Sequence, residues 1–284
     1  MRRPAVFALA FLLLAASPPH AAPGPRIVAL VPSLAEDAFA IGANVVGVSK
    51  FVDNVPQART LPKVADFQSI DAERIIALHP DAVVGIPSQS QLTAPLRRAG
   101  IRVVLVPDDT YDDIFTGLRA VGDLAGRRPQ ADALVARLQA ETASLRARAV
   151  RARPRVFVVL GVAPVWTAGP SSFVGTLIAF AGGVDAAADL RAPWGEYSEE
   201  ALLRAQPDVL VAAGDAGVGS AFEREPWRSL PAVREHRVFV VTDPRIDTAL
   251  FRPGPHYNEG LRWLLERFSS LSTPTTPNAR SNRS

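Results

Sequence analysis

The sequence predicts an α/β protein of two similar lobes joined by a single long helix, and three observations carry that prediction. The first is an internal repeat. Residues 70–84 align without a gap on residues 197–211, so that Glu73 falls on Glu200, Pro80 on Pro207, Asp81 on Asp208 and Val84 on Val211. Each copy reads as a short helix opened by an N-cap, Asp71 or Ser198, stopped before a Pro-Asp turn and followed by a buried strand. Two flanking segments repeat in the same order: Pro25-Arg26-Ile27-Val28 resembles Pro154-Arg155-Val156-Phe157, and Arg102-Val103-Val104 resembles Arg237-Val238-Phe239. The second observation is strand, helix, strand alternation at the spacing of parallel pairing with crossover helices. The third is a long helical pattern at 130–150, placed between the two halves.

Taken in order, residues 26–31 form a buried strand and 34–41 a helix closed by Gly42. A short strand at 45–48 leads into an irregular, proline-punctuated segment, 49–68. The first repeat copy follows, its strand ending near Ile86. A helix over 92–99 ends at Gly100, and 101–106 is the next strand. A helix over 110–124 leads out of this lobe, and Gly126-Arg127-Arg128-Pro129 breaks the chain. In the long helix, Ala131, Leu134, Val135, Leu138, Thr142, Leu145 and Ala149 make one apolar face, with arginines opposite. Twenty-odd residues at 1.5 Å each span roughly 30 Å, the diameter of a small lobe. The second lobe opens with a strand at 155–160, then a loop containing Trp166 and a helix at 173–181 ended by Gly182-Gly183. Pro193-Trp194 precedes the second repeat copy. Residues 221–230 are partly helical, 237–242 form a strand, 244–255 a long loop, and 258–268 the closing helix. The division is therefore 23–126, a Rossmann-like first lobe; 127–153, the linking helix; and 154–268, the second lobe.

The ends belong to neither lobe. Arg2 and Arg3 precede an apolar run from Ala5 to Ala16 and then small residues up to Ala22. Residues 1–22 read as a secretory signal, too short to span a bilayer as a helix. Residues 269–284 are Ser, Thr, Pro, Asn and Arg without periodicity and read as a disordered tail. The chain has no cysteine, so it carries neither disulfides nor a lipid-accepting cysteine after the signal. The expectation is a freely diffusing, monomeric protein of the periplasm. The formal charge of +3 falls to about +1 once Arg2 and Arg3 leave. A pI near 9.8 reflects 29 arginines against two lysines rather than a basic patch, and gives nucleic-acid binding no support.

Catalytic patterns are missing. There is no Gly-x-Ser-x-Gly elbow, no phosphate-binding Gly-x-x-x-x-Gly-Lys loop and no Gly-x-Gly-x-x-Gly turn after a strand. With four histidines, one of them in the signal, a multi-histidine metal site has no basis. His79 and His236 read as structural. What does stand out is aromatic residues in irregular stretches: Phe51, Phe67, Trp166, Trp194 and Phe251. In open α/β sheets, loops at the carboxyl ends of strands form ligand crevices, and aromatics there supply rigid contact area.

Together these features resemble the helical-backbone (class III) periplasmic binding proteins of ABC importers for cobalamin, ferric siderophores and haem, over residues 26–268. The likeness is greatest to the cobalamin-binding branch. It rests on Gly47-Val48-Ser49 through Asp53, Pro56-Gln57-Ala58, Glu73-Arg74-Ile75-Ile76-Ala77-Leu78 with Pro80-Asp81, and Pro193-Trp194 ahead of Glu200. The resemblance implies a carrier rather than an enzyme, with no cofactor of its own and a corrinoid as its transported ligand. Phe51, Phe67, Trp166, Trp194 and Phe251, with Arg252, stand where that branch borders the corrin. Phenylalanine replaces tyrosine or tryptophan at two of these positions, and Ile86 stands near where a further tryptophan is expected. Glu73 and Glu200 match the family's two docking glutamates, one per lobe, which face arginines on the permease subunits.

Other readings share the frame. Haem asks for an axial Tyr or His, for which Tyr111, Tyr197 and His256 are candidates. An anionic ferric siderophore asks for arginines, with Arg245 and Arg252 as candidates. A secreted enzyme or a ligand sensor could be built on the same two lobes. The long helix also implies that the lobes move little against each other when ligand binds.

Overall fold

The computed structural model describes residues 24–52, 54–66 and 68–271. The signal segment and most of the expected tail lie outside them, as do Asp53 and Phe67. The first lobe runs β1 (Arg26–Ala29), α1 (Pro32–Ala40), β2 (Asn44–Ser49), β3 (Lys63–Ala65), α2 (Ala72–Ala77), β4 (Ala82–Gly85), α3 (Ala94–Arg98) and β5 (Arg102–Leu105). Its five strands are all parallel, in the order β3-β2-β1-β4-β5. This is the doubly wound arrangement, whose winding reverses between β1 and β4. Period-two alternation explains why both faces are covered. Ile27, Ala29 and Val84 point to the side of α1, while Val28, Leu30 and Val83 meet Ile75 of α2 and Leu96 of α3.

Two helices lead across: α4 (Tyr111–Leu124) and α5 (Arg128–Arg146). Thr110 caps α4 by accepting from the Asp113 amide. The linking helix α5 is 19 residues long, or roughly 28 Å. It starts two residues earlier than the sequence pattern and ends four sooner, because Pro129 is at home in a first turn. Six of the seven expected face residues are buried; Ala149 lies past the helix end and is exposed.

The second lobe comprises β6 (Arg155–Val159), β7 (Gly161–Val162), β8 (Val165–Ala168), α6 (Phe173–Phe180), β9 (Val184–Asp185), β10 (Trp194–Glu196), α7 (Glu199–Ala205), β11 (Val209–Ala213), α8 (Pro231–Arg234), β12 (Val238–Val241), α9 (Pro244–Phe251) and α10 (Tyr257–Leu271). Its main sheet is parallel, β12-β11-β6-β9. With β9, β6, β11 and β12 standing for β2, β1, β4 and β5, the winding is that of the first lobe. The lobes differ at one edge: among the described residues no strand matches β3, and a small antiparallel sheet, β10-β8-β7, is added.

The repeat extends to single hydrogen bonds. Arg26 N donates to Asp81 Oδ2 at 2.7 Å and Arg155 N to Asp208 Oδ2 at 2.8 Å. The Arg26 guanidinium takes the Leu78 carbonyl that ends α2, and that of Arg155 takes the equivalent Ala205 carbonyl of α7. Asp71 and Ser198 cap the two helices by accepting from the Arg74 and Ala201 amides. The residues after the helices, His79 and Gln206, are both left-handed, with φ of 45° and 43°. His79 is thus a turn residue.

Three expected irregular stretches are ordered instead. Residues 244–251 form α9 rather than a loop: Asp243 caps it by accepting from the Arg245 amide, and Pro244 opens it. Trp166 and Trp194 lie on strands β8 and β10, where Trp194 pairs with Ala168 and Glu196 with Trp166. Residues 221–230, expected to be partly helical, hold two 3-10 turns. The closing helix α10 runs to Leu271, past Phe268.

Between the sheets, α4, α5, α6 and α10 share one core with the inner faces of both lobes. A polar network pins them. The Thr142 hydroxyl of α5 lies 2.6 Å from the Tyr257 hydroxyl and 2.9 Å from Asn258 Oδ1, and Asn258 Nδ2 donates to the Leu138 carbonyl at 3.0 Å. Tyr111 of α4 meets Phe115, Phe180 and Tyr257 edge-on, at centroid distances of 5.1, 5.1 and 5.4 Å. A buried, satisfied network of this kind holds the helices in one arrangement.

Candidate functional site: a cleft between the lobes

The carboxyl end of the first sheet opens on a cavity of about 200 Å³ lined by Val31, Pro32 and Ser33 after β1, Ile86 after β4, and Asp108 and Asp109 after β5. This is where the winding reverses, the position at which open α/β sheets bind ligands. Trp194 of β10 and Phe251, Arg252 and Pro253 at the end of α9 close it from the second lobe. The enclosed space is below the roughly 300–1,000 Å³ of pockets that swallow a drug-sized ligand. A larger guest would rest across the mouth. Apolar walls face it: Trp194 packs on buried Phe173, with ring centroids 5.7 Å apart.

Two side chains bridge the lobes here. The Trp194 indole Nε1 donates to Asp109 Oδ1 at 3.0 Å. Arg252 Nη1 donates to the Phe51 carbonyl at 3.0 Å and lies 3.6 Å from Glu36 Oε1. Glu36 is buried on α1 and also accepts from Asn54 Nδ2 at 2.9 Å. Burial raises its carboxyl above the ordinary range, with Asn54, Arg252 and His256 pulling the other way. Neighbouring Asp37 is raised further, by burial and then by the charges of Glu36 and Asp108. Asp108 is pushed up to about 6, mainly by burial, although Ser33 Oγ donates to it at 3.2 Å.

The structure therefore brings Trp194, Phe251 and Arg252 together, with Phe51 tied to them through its carbonyl. Phe51 is 46% exposed. Trp166 is 43% exposed on the strand beside Trp194 but does not line the cavity. Phe67 lies outside the described residues. The candidate haem ligands are placed elsewhere. Tyr111 is in the interhelical network, and Tyr197 is buried with its hydroxyl donating to Asp189 at 2.6 Å. Burial, followed by Asp189, holds that phenol above its usual range. His256 sits beside Glu259 at 3.5 Å, away from the cavity lining. The candidate siderophore arginines are both engaged, Arg245 by Asp243 at 3.2 Å and Arg252 by Glu36.

Sequence reasoning passed over Glu36, Ser33, Asp108 and Asp109. A signal was present for the acids: Glu36-Asp37 interrupts a mostly apolar helix, and Asp108-Asp109 lies just past the last strand of the first lobe, at the carboxyl end where crevices form.

Glu73 and Glu200 occupy equivalent places, in the first turns of α2 and α7, each on the outer layer of its lobe. Both are exposed, and neither has a hydrogen bond or ion pair among the described residues.

Residues 27–244 match the family described as Periplasmic binding protein. The chain belongs to that family. A vitamin B12-binding protein of Salmonella typhimurium is 35% identical over 197 residues, covering 68% of this chain and 74% of its own. The periplasmic vitamin B12-binding protein BtuF of Vibrio cholerae superposes with a TM-score of 0.73 at 26% identity, over 87% of this chain and 98% of that one. The periplasmic heme-binding protein RhuT of Roseiflexus sp. RS-1 gives 0.76 at 28% identity, over 88% and 100%. The protein is thus a substrate-binding protein of the class that serves vitamin B12, haem and iron-siderophore uptake, not an enzyme. The small molecule in such a protein is cargo rather than cofactor. Among the described residues no helix is long and apolar enough to cross a membrane.

Proposed function

We propose that the chain captures cobalamin or a related corrinoid in the cleft between its lobes and delivers it to the permease of an ABC transporter. Likeness alone supports both a vitamin B12 and a haem carrier, as the two solved neighbours illustrate. The chemistry of the cleft favours the first. Its polar groups, Ser33, Asp108 and Asp109, include two carboxylates that accept hydrogen bonds, and its arginine is already engaged by Glu36. The amide arms of a corrinoid are donors that suit carboxylates. Haem propionates or an anionic siderophore would meet like charge.

In this reading Trp194 and Phe251 wall the ring, Phe51 and Trp166 extend the apolar rim over its edges, and Arg252 holds the rim in place. Phe67 joins them on the sequence pattern. The lobes are residues 23–126 and 154–268, with 127–153 between them. Removal of 1–22 leaves a soluble periplasmic monomer, and Glu73 and Glu200 address the two permease subunits.

A charge reversal tests the ligand class. Asp109 is exposed, so Asp109→Lys can be made without burying a cation. It should weaken cyanocobalamin binding tenfold or more and strengthen haemin binding. Unchanged affinity for both cyanocobalamin and haemin would refute the assignment.

A further inference from the structure

Five large hydrophobic side chains stand exposed among the described residues: Phe51, Ile76, Trp166, Leu203 and Val240. Phe51 and Trp166 belong to the cleft rim. Ile76 and Leu203 do not, yet they are the same position of the repeat, three residues after Glu73 and Glu200. They are 38% and 37% exposed.

The two short helices carry one design. Ile75 and Leu202, equivalent and fully buried, anchor them to the outer faces of their sheets. Residues three apart share a helix face, so each helix turns a carboxylate and an aliphatic side chain outward together. The capping residue, the arginine clamp and the left-handed turn are duplicated as well. Capping requires no exposed aliphatic residue, and chance gives no reason for one at matching sites in two lobes.

From this we infer that Ile76 and Leu203 are the apolar contacts of the docking surface. Each packs into a pocket beside a basic group on one of two equivalent subunits of the membrane transporter. This rests on the reading of Glu73 and Glu200 given above and adds a division of labour. The carboxylates have no partner of their own sign-complement among the described residues, so they select a basic partner and steer it. The aliphatic side chains exclude water from the contact and supply most of its lifetime. The duplication matches a partner with two-fold symmetry and not a single peptide or a lipid surface.

The experiment has two stages. A photo-crosslinking amino acid is placed at position 76 or 203 of the full chain in its own cells, and the adducts are sequenced. Both positions should yield the same multi-spanning transport subunit. Adducts to a second copy of this chain, to unrelated proteins, or to nothing would overturn the inference. The captured transporter, in nanodiscs, is then titrated with wild type, Ile76→Ser/Leu203→Ser and Glu73→Gln/Glu200→Gln. The serine pair should lose about a hundredfold in affinity, mainly through faster dissociation, with ligand binding and thermal unfolding unchanged. The glutamine pair should lose affinity mainly through slower association. If only the glutamine pair binds poorly, the aliphatic contacts are irrelevant and carboxylate docking stands. If neither pair differs from wild type, both readings fall.

Discussion

Replacing Arg252 by alanine should destabilise the ligand-free protein by an amount that grows with pH. The bond from Arg252 to the Phe51 carbonyl, at 3.0 Å, is that of a charged donor to a neutral acceptor, and at the half-buried rim it contributes about 1.5 kcal/mol. The contact with Glu36 at 3.6 Å corresponds to about 4–5 kcal/mol of attraction at an effective dielectric constant of 20, much of it offset by desolvation. Removing the arginine also removes one of the groups that lower the Glu36 carboxyl, so its already raised pKa climbs. An acid whose folded pKa exceeds its unfolded value binds more protons when folded, and stability then falls as pH rises. The loss in Arg252→Ala should be about 1.5 kcal/mol at a pH where Glu36 is protonated and about 3 kcal/mol at one where it is ionised. Urea unfolding followed by far-ultraviolet circular dichroism reads both values. A loss that is the same at the two pH values, or below about 0.5 kcal/mol at either, would refute a charged Glu36–Arg252 clasp between the lobes.

Other expectations follow from the same geometry. Burial pushes the Asp108 carboxyl up to about 6; if its ionised form accepts from the ligand, corrinoid affinity should drop about tenfold from pH 7 to pH 5, and Asp108→Asn should flatten that dependence in fluorescence titrations. Asp185, at the edge of the second sheet, is also pushed up to about 6, mainly by burial, and its Oδ2 has no partner among the described residues, while Oδ1 accepts from the Ala187 amide. Its folded pKa exceeds the unfolded value of about 3.9, so the wild type loses stability as pH rises between those values. Asp185→Asn should therefore match wild type near pH 4 and exceed it by about 2 kcal/mol at pH 8 in denaturant melts. The pinned helices between the sheets imply a small hinge motion, so X-ray scattering of free and loaded protein should give nearly equal radii of gyration, and a change of several Å would contradict the role of α5 and Thr142.

The sequence carried the duplicated frame because the residues that build it are local and periodic. Asp71 and Ser198 mark helix starts, Pro80 and Pro207 mark helix ends, and the unbroken apolar runs of β1 and β6 mark strands buried on both faces. The cleft was legible only in part. Trp194, Phe251 and Arg252 were singled out and do meet, but the side chains that fix their geometry, Glu36 and Asp109, are distant in sequence and were found only in space. The added sheet escaped notice because Gly161, Pro164 and Gly169 punctuate β7 and β8 so closely that the strands fall below the length at which alternation shows. Helix α9 was hidden by the Pro253-Gly254-Pro255 stretch behind it, even though Asp243-Pro244 is a good helix start and Ile246, Ala249 and Leu250 recur at helical spacing. Tyr197 looked available as a ligand by composition, and only burial against Asp189 shows that its hydroxyl is committed.

The ligand assignment is tested most directly by titrating the mature chain with cyanocobalamin and, separately, with haemin, while following quenching of tryptophan fluorescence. A cleft walled by Trp194 and Phe251 and furnished with carboxylates should bind the corrinoid stoichiometrically and at least a hundredfold more tightly than haemin. Tight haemin binding with a shifted Soret band, together with weak or absent corrinoid binding, would contradict it.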